Sequence, residues 1–211
     1  MPVTLIVLAK APVAGRVKTR LCPPCSYEEA ARLAAAALAD TLDAVAATPA
    51  ARRVLVLDGR PPPNVPVAFE IIAQREGGLA DRLTGAFSDV VGPAVLVGMD
   101  TPQVTPQLLS GAAESLLRAG TDAVIGGADD GGWWAIGLRR PDHRVFLGVP
   151  MSLPTTGAAQ IARLDSLGLR TVVLPNLVDV DDFETATAVA TCAPRTRFAT
   201  AFHRIAVRVP G

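Results

Sequence analysis

VTLIVLAKAPVAGRVKTRL, residues Val3 to Leu21, is the stretch that decides the fold of this chain. It begins with an unbroken run of β-branched residues and leucine, Val3 to Leu8, whose length and composition predict a buried parallel strand. Pro12 and Gly15 then indicate a loop, and four cations occupy this part of the chain. The four are Lys10, Arg16, Lys18 and Arg20. In open α/β sheets the ligand crevice lies just beyond the carboxyl ends of the strands, so this loop predicts a phosphate-binding site for a nucleotide. The alternative is a solvated loop with scattered charges.

Two common phosphate-binding motifs are excluded by the spacing. A Walker A loop needs a contiguous Gly-Lys-Ser/Thr, whereas Arg16 and Val17 separate Gly15 from Lys18. A dinucleotide-binding fingerprint needs three glycines in G-x-G-x-x-G, and this turn contains only Gly15.

The composition predicts one domain over residues 1–211. The chain is long enough to bury a substantial core, and its residues are 50% hydrophobic but only 4% aromatic. Lys plus Arg equals Asp plus Glu at 20 each, which argues against a nucleic-acid partner. No stretch approaches the ~18–20 apolar residues of a membrane span, and the first apolar run is too short for a signal peptide. We therefore expect a cytoplasmic protein.

The cysteines are not expected to carry chemistry. Cys22-Pro-Pro-Cys25 lacks the second ligand pair of a zinc site, since Cys192 stands alone in the sequence. A thioredoxin-type motif opens a helix directly after a strand, whereas this one follows the basic loop. Three free cysteines fit a reducing compartment.

Strand and helix patterns alternate along the chain, which is typical of an α/β sandwich with a mostly parallel sheet. After Val3 to Leu8, buried strands are predicted at 53–57 and 94–98, a short strand at 69–73, and further strands at 122–126 and 171–174. Helices are predicted at 30–47, behind a Ser26/Glu29 capping box, and at 105–119, 157–167 and 183–190. A further helix, which carries Arg82 and Phe87, is predicted to begin soon after the bend at Gly77-Gly78. The basic tail, residues 193–211, is predicted to add an edge strand at 204–209.

Carboxylates stand at the ends of two of these strands. Asp100 follows the strand 94–98; it could cap the next turn, although Thr105 is better placed to cap the helix. Strand alternation puts Asp179 and Asp181 on one face, so they could converge on one cation. The alternative is an acidic N-cap cluster for the helix 183–190. If no cation is bound, each carboxylate costs electrostatic energy beside its neighbour, so Asp100→Asn is expected to stabilise the protein slightly.

The opening motif resembles a family of nucleotide-diphospho-sugar-transferase-like proteins described as domain of unknown function 2064. The family motif reads approximately K-x-P-x-x-G-x-V-K-T-R-L. It is matched by Lys10, Pro12, Gly15, Val17, Lys18, Thr19, Arg20 and Leu21. More distant relatives are the guanylyltransferases that act on molybdopterin and on phospholactate.

The resemblance covers about residues 3 to 190 and includes later stretches. The family's Gln and Gly-Leu-x-x-Arg pattern is matched in 74–83, and its G-x-D-x-P by Gly98, Asp100 and Pro102. Its D-G-G-Y-Y-x-I-G-L is matched at 130–138, with Trp133 and Trp134 in place of the tyrosines, and its Asp-Val-Asp at 179–181. Residues 151–155 depart from the family, where relatives often carry Trp-Ser-Thr.

What the resemblance implies is a three-layer α/β/α sandwich of the GT-A type and a metal-dependent transferase. The donor is expected to be a nucleotide sugar, which makes the protein a glycosyltransferase with a small-molecule acceptor. A nucleotidyltransferase that releases pyrophosphate from a nucleoside triphosphate is the alternative. A non-catalytic nucleotide-binding regulatory protein is a further one, suggested by the altered 151–155 segment and the missing tyrosines.

The resemblance also implies roles for single residues. The nucleotide and its phosphates are expected to contact Lys10, Gly15, Arg16, Lys18, Arg20, Gln74, Gly77 and Arg82. Asp100, with Asp181 or Asp179, is expected to bind Mg²⁺ or Mn²⁺. Gly131, Gly132 and Trp133 are expected to form the acceptor pocket. Asp130 is the candidate acid/base or acceptor-orienting residue, and Lys18 the second candidate catalytic residue.

Overall fold

The computed structural model describes residues 2–207 and places seven strands in one sheet. The strands are β1 (Thr4–Lys10), β2 (Arg52–Asp58), β3 (Glu70–Ala73), β4 (Ala94–Gly98), β5 (Ala123–Ala128), β6 (Trp133–Leu138) and β7 (Thr171–Leu177). Their order in the sheet is β3-β2-β1-β4-β6-β5-β7. Only β6 runs antiparallel to its neighbours, β4 and β5. The mostly parallel sheet is confirmed.

Helices cover both faces of this sheet. They are α1 (Tyr27–Ala47), α2 (Leu79–Ser88), α3 (Pro106–Leu117), α4 (Thr156–Ser166), α5 (Phe183–Cys192) and α6 (Arg197–Ala206). The side chains of β1 alternate between the faces: Leu5 and Val7 pack under α1 and α3, whereas Ile6 packs on the side of α2 and α4. The three-layer α/β/α prediction is therefore confirmed. No helix within residues 2–207 has the length and apolar character needed to cross a membrane.

The C-terminal region forms a helical cluster on the outer side of α1. Apolar residues of α6 at helical spacing, Phe198, Phe202 and Ile205, are buried there. The Asp40 carboxylate accepts hydrogen bonds from the backbone N–H groups of Arg197 and Phe198, at 3.0 and 2.8 Å, and so fixes the start of α6.

The predicted edge strand at 204–209 is wrong for Val207, which follows α6 in a turn, and for residues 204–206. Residues 204–206 form the last turn of α6, because the helical spacing of its apolar residues outweighs the local strand-like pattern. Residues 208 and 209 lie outside the described part of the chain.

The helix caps show which of the carboxylates after β4 and β7 serve as N-caps. The Thr105 hydroxyl accepts from the backbone N–H of Leu108 at 3.2 Å and caps α3. The Asp182 carboxylate accepts from the backbone N–H of Thr185 at 2.9 Å and caps α5. Asp100 is therefore not the N-cap of α3, and a single residue caps α5.

Candidate functional site

Three adjoining clefts lie at the carboxyl ends of β1 and β4, and Met99 and Asp100 line all of them. The central cleft, about 250 Å³, is lined by Lys10, Lys18, Arg20, Asp100 and Asp181. The glutamine cleft, about 420 Å³, is lined by Lys10, Gln74, Gly77 and Arg82. The tryptophan cleft, about 520 Å³, is lined by Asp130, Gly132, Trp133, Ser152 and Asp179. The site thus lies at the sheet edge expected for an open α/β fold.

Lys18 connects the basic loop to the acidic end of the sheet. Its ammonium lies 2.6 Å from Oδ1 of Asp100 and donates a hydrogen bond to the carbonyl of Val180. The Lys18 side chain is only 11% exposed, whereas the Asp100 side chain is 44% exposed, so the ion pair is buried on its lysine side and open to water on its carboxylate side. Lys18 and Ser152 are the non-glycine residues with positive φ in the described chain, at 50° and 60°, and both line these clefts. Such backbone strain is concentrated at functional sites in proteins.

The other residues of the basic loop are placed differently. Lys10 ends β1 and lines two of the clefts. Arg20 forms an exposed ion pair with Asp181 at the rim of the central cleft. Gly15 and Arg16 lie on the exposed outer part of the loop, outside the residues that line the three clefts. Their phosphate contacts stay a prediction.

The carboxylates after β4 and β7 are brought together by the backbone. The N–H of Val180 donates to the carbonyl of Asp100 at 2.9 Å. Asp179 is half-buried as a residue, but its Oδ1 atom is fully buried and has no hydrogen-bond partner among the described residues. Burial, and then the charges of Asp100 and Asp130, raise the pKa of Asp179 from 3.8 to about 7. Asp179 is therefore a carboxylate held at an energetic cost, whereas Asp181 is satisfied by Arg20.

These residues fit a divalent cation that a ligand helps to hold. Among residues 2–207, no group of three His, Cys, Asp or Glu side chains could hold a metal ion. Mg²⁺, however, is usually bound through one or two carboxylates together with substrate phosphates. Asp100 and Asp179 offer hard oxygen ligands, and the Lys18 ammonium already places a positive charge beside Asp100. The donor set is the kind that Mg²⁺ and Mn²⁺ prefer.

Gln74 and Arg82 form the wall of the glutamine cleft through hydrogen bonds within the protein. The Gln74 amide donates to the carbonyls of Ala9 at 2.7 Å and Val56 at 3.2 Å. The Arg82 guanidinium donates to Oε1 of Gln74 at 3.2 Å. It also forms an ion pair with Asp58 at 2.9 Å. The sequence did not point to Asp58, which is the last residue of β2.

Two glycines let the segment before α4 pack against the start of β6 and so form one wall of the tryptophan cleft. A Cβ on Gly131, whose φ is 87°, would lie 2.0 Å from the carbonyl oxygen of Pro154. A Cβ on Gly157 would lie 2.6 Å from the carbonyl oxygen of Gly132. The missing side chains thus let the segment before α4 pack onto the start of β6. Gly132 lines the cleft, whereas Gly131 contacts this segment instead.

Asp130 and the two tryptophans have distinct surroundings. The exposed Asp130 carboxylate accepts from the backbone N–H of Gly132 at 2.8 Å, which holds it at the cleft. The half-buried Trp133 lines the cleft and packs near Phe146, with ring centroids 6.5 Å apart. Trp134 is only 2% exposed and donates from Nε1 to the carbonyl of Pro175 at 2.9 Å. Trp134 therefore serves the core as well as the cleft.

The sequence did not indicate that the segment between β6 and α4 lines the site. Met151, Ser152, Leu153, Pro154 and Thr156 all line the tryptophan cleft. The signal was the departure of residues 151–155 from the family pattern, but its place in the fold could not be known from the sequence. The positive φ of Ser152 is a property of the folded backbone that no sequence pattern indicates.

The sequence profile of one family, described as "Uncharacterized protein conserved in bacteria (DUF2064)", matches residues 32–153, which is more than half of the chain. The chain belongs to this family. The DUF2064 match confirms the resemblance noted from the opening motif, although residues 10–21 and 179–181 lie outside the matched range. No protein of curated function matches the sequence.

Solved structures support the fold. A putative nucleotide-diphospho-sugar transferase from Desulfovibrio desulfuricans G20 is 23% identical, with a TM-score of 0.86 over 97% of this chain and 95% of the other. CMP:2-keto-3-deoxy-manno-octonic acid synthetase complexed with CTP is 12% identical, with a TM-score of 0.60 over 92% and 99%. The manganese complex of Rv0371c from Mycobacterium tuberculosis H37Rv is 19% identical, with a TM-score of 0.52 over 90% and 98%. The DUF2064 chain therefore has the fold of nucleotide-diphospho-sugar transferases.

Proposed function

We propose that this DUF2064 protein is a metal-dependent glycosyltransferase that uses a nucleoside diphosphate sugar. The observation that carries the proposal is the meeting of Lys18, Asp100 and Asp179, which all line the tryptophan cleft where it adjoins the central cleft. The buried ammonium of Lys18 and the unpaired carboxylate of Asp179, next to the half-exposed carboxylate of Asp100, suit a metal-bound diphosphate. The fold shared with a putative nucleotide-diphospho-sugar transferase supports the same class.

Each of the three clefts binds a different part of the two substrates. The nucleoside occupies the glutamine cleft, whose wall Gln74 and Arg82 fix. The diphosphate lies in the central cleft, where Lys10, Lys18 and Arg20 supply positive charge. The sugar and the acceptor share the tryptophan cleft. This order follows the connection of the clefts, since the central cleft shares Lys18 and Arg20 with the tryptophan cleft and Lys10 with the glutamine cleft.

Asp100 and Asp179 would hold Mg²⁺ or Mn²⁺ together with oxygen atoms of the diphosphate. When bound, the ion would neutralise the charge that develops on the leaving nucleotide. Lys18 would then exchange Asp100 for a phosphate oxygen. Asp181 is the alternative second ligand, but it would first have to leave its ion pair with Arg20. The manganese complex of the structural neighbour Rv0371c is in keeping with this proposal.

Asp130 would accept the proton of the acceptor. The acceptor hydroxyl oxygen forms a bond to the anomeric carbon, and the bond from that carbon to the diphosphate oxygen breaks. The nucleoside diphosphate leaves with the bonding electrons, and the hydroxyl proton passes to the Asp130 carboxylate. The hydrogen bond from Gly132 keeps one oxygen of Asp130 in place.

A nucleotidyltransferase is the second candidate, because a synthetase complexed with CTP shares the fold over nearly its whole length. In that reaction the acceptor would attack the α-phosphate of a triphosphate and release pyrophosphate. The same clefts could hold both donors, so the products have to be identified.

Product analysis separates these reactions. The purified protein is incubated with Mg²⁺ or Mn²⁺ and a panel of nucleotide sugars and nucleoside triphosphates, with and without simple alcohols. Release of a nucleoside diphosphate from a nucleotide sugar, abolished in Asp100→Asn but kept in the matched Asp89→Asn, is the expected result. Asp89 forms a distant ion pair with Arg75 and controls for the loss of a charge. Pyrophosphate release would favour the second candidate, and binding without turnover would favour a regulatory protein.

A further inference from the structure

The tryptophan cleft has an apolar wall opposite its charges. Its apolar lining includes Leu79, Trp133, Met151, Leu153 and Pro154. Trp133 and Met151 pack against the core on the α2 and α4 side of the sheet. Leu79 and Leu153 are 39% and 52% exposed. Exposed leucines from two separate segments that line one cavity form an apolar patch of the kind that marks a binding site.

The apolar wall carries few polar side chains. The Thr156 hydroxyl accepts from the N–H of Leu153 at 3.0 Å and donates to the carbonyl of Pro150 at 2.9 Å. The Thr101 hydroxyl and the Trp133 indole N–H are buried and have no hydrogen-bond partner within residues 2–207. Ser152 is the exposed hydroxyl of this wall. A polyol that packed on Leu79, Met151 and Leu153 would turn hydroxyl groups toward apolar side chains, which is costly when those groups are removed from water.

The charges of the cleft disfavour an anionic acceptor. Its two cations, Lys18 and Arg20, are the ones that the proposed function assigns to the diphosphate, so neither is left to bind a second anion. Asp130 forms no ion pair with a lysine or arginine within residues 2–207. A phosphorylated acceptor that approached Asp130 would therefore meet a negative charge that the exposed Arg20 guanidinium offsets only in part.

We propose that the acceptor bound by the tryptophan cleft is an uncharged small alcohol with an apolar body, which packs on Trp133 and Leu153 and presents its hydroxyl to Asp130. The word acceptor rests on the proposed function, whereas the ligand class rests on the lining of the cleft. The volume of about 520 Å³ is in the range of small-molecule sites and leaves room for the transferred sugar as well.

Three matched probes test the ligand class. Cyclohexylmethanol and glucose share a six-membered ring with a hydroxymethyl group, and cyclohexylmethyl phosphate adds the charge. Both tryptophans of the chain line the cleft, so their fluorescence reports binding directly. Titrations of the full chain are made with and without a nucleoside diphosphate and Mg²⁺. We expect cyclohexylmethanol to bind at least about tenfold more tightly than either other probe, in line with burial of its ring. Equal or tighter binding of glucose or of the phosphate would overturn the proposal.

A matched pair of leucines tests the location. Leu153→Ser is expected to weaken cyclohexylmethanol binding roughly fivefold, as expected for lost apolar contact. Leu147→Ser is the control, because Leu147 is 66% exposed and lies outside the lining of the cleft. Equal effects of the two substitutions would also overturn the proposal.

Calorimetric titration of the same samples with ADP, CDP, GDP, UDP and dTDP distinguishes a failure of the acceptor class from a failure of the transferase proposal. Nucleotide binding without cyclohexylmethanol binding would refute the acceptor class and leave the transferase proposal standing. Cyclohexylmethanol binding without nucleotide binding would support the ligand class and refute the transferase proposal.

Discussion

Asp179→Asn is predicted to stabilise the metal-free protein at alkaline pH while removing a metal ligand. The pKa of Asp179 is raised from 3.8 to about 7, first by burial and then by the neighbouring carboxylates. The folded state therefore binds the proton more tightly than the unfolded chain does. The free energy of unfolding falls as the pH rises from about 4 to about 7, and the full cost is present above that range. At ~1.4 kcal/mol per pKa unit, the cost is about 2–4 kcal/mol.

Asparagine removes this cost because its amide stays neutral at every pH. Urea unfolding with a chelator present should show Asp179→Asn to be more stable than the wild type by about 2–4 kcal/mol near pH 8, and nearly unchanged near pH 4. Asp122→Asn is the control of opposite sign, because hydrogen bonds from Arg170 lower the pKa of Asp122. It should lose stability near pH 8. An absent gain in Asp179→Asn, or a gain that is the same at both pH values, would refute the reasoning.

The remaining predictions concern the basic loop and the glycine that packs the cleft. Lys18→Ala should weaken nucleoside diphosphate binding by about 1.5–3 kcal/mol and nucleoside binding much less, because the lost contact is to phosphate. Calorimetry measures both, and equal losses would mean that the fold was damaged. Gly131→Ala should destabilise the protein by at least about 2 kcal/mol in urea unfolding, because its Cβ would lie 2.0 Å from the carbonyl oxygen of Pro154. Gly148→Ala, at a similar φ of 75° with open space around it, should cost about 1 kcal/mol, and an equal cost at both sites would argue against tight packing.

The fold was predictable because the central parallel strands β1, β2 and β4 are short apolar runs that are largely buried on both faces. Such runs are visible in the sequence, as in β1 and β4. The antiparallel position of β6 between β4 and β5 was not, because strand order is decided by packing rather than by local pattern. The C-terminal helix was missed for a similar reason: the burial of Phe198 and Phe202 against α1 and α5 is a tertiary effect.

The site was predictable in its residue types but not in its pairing. Alternation placed Asp179 and Asp181 on one face, yet burial separates them: Asp181 pairs with Arg20, and Asp179 is left without a partner. Because Lys18 pairs with Asp100, we expect the stabilisation predicted for Asp100→Asn from Asp179→Asn instead. Lys18 neutralises Asp100 across a large sequence separation, which no local pattern could reveal.

The shared cation is the central claim, and metal-dependent nucleotide binding tests it most directly. Calorimetric titration with a nucleoside diphosphate, with and without Mn²⁺, is made on the wild type, Asp100→Asn, Asp179→Asn and the double variant. Each single substitution is predicted to lower the Mn²⁺-dependent affinity at least about tenfold, and the double variant to lose little more, because effects on one shared ion are not additive. Full Mn²⁺-dependent binding in both single variants would contradict the account.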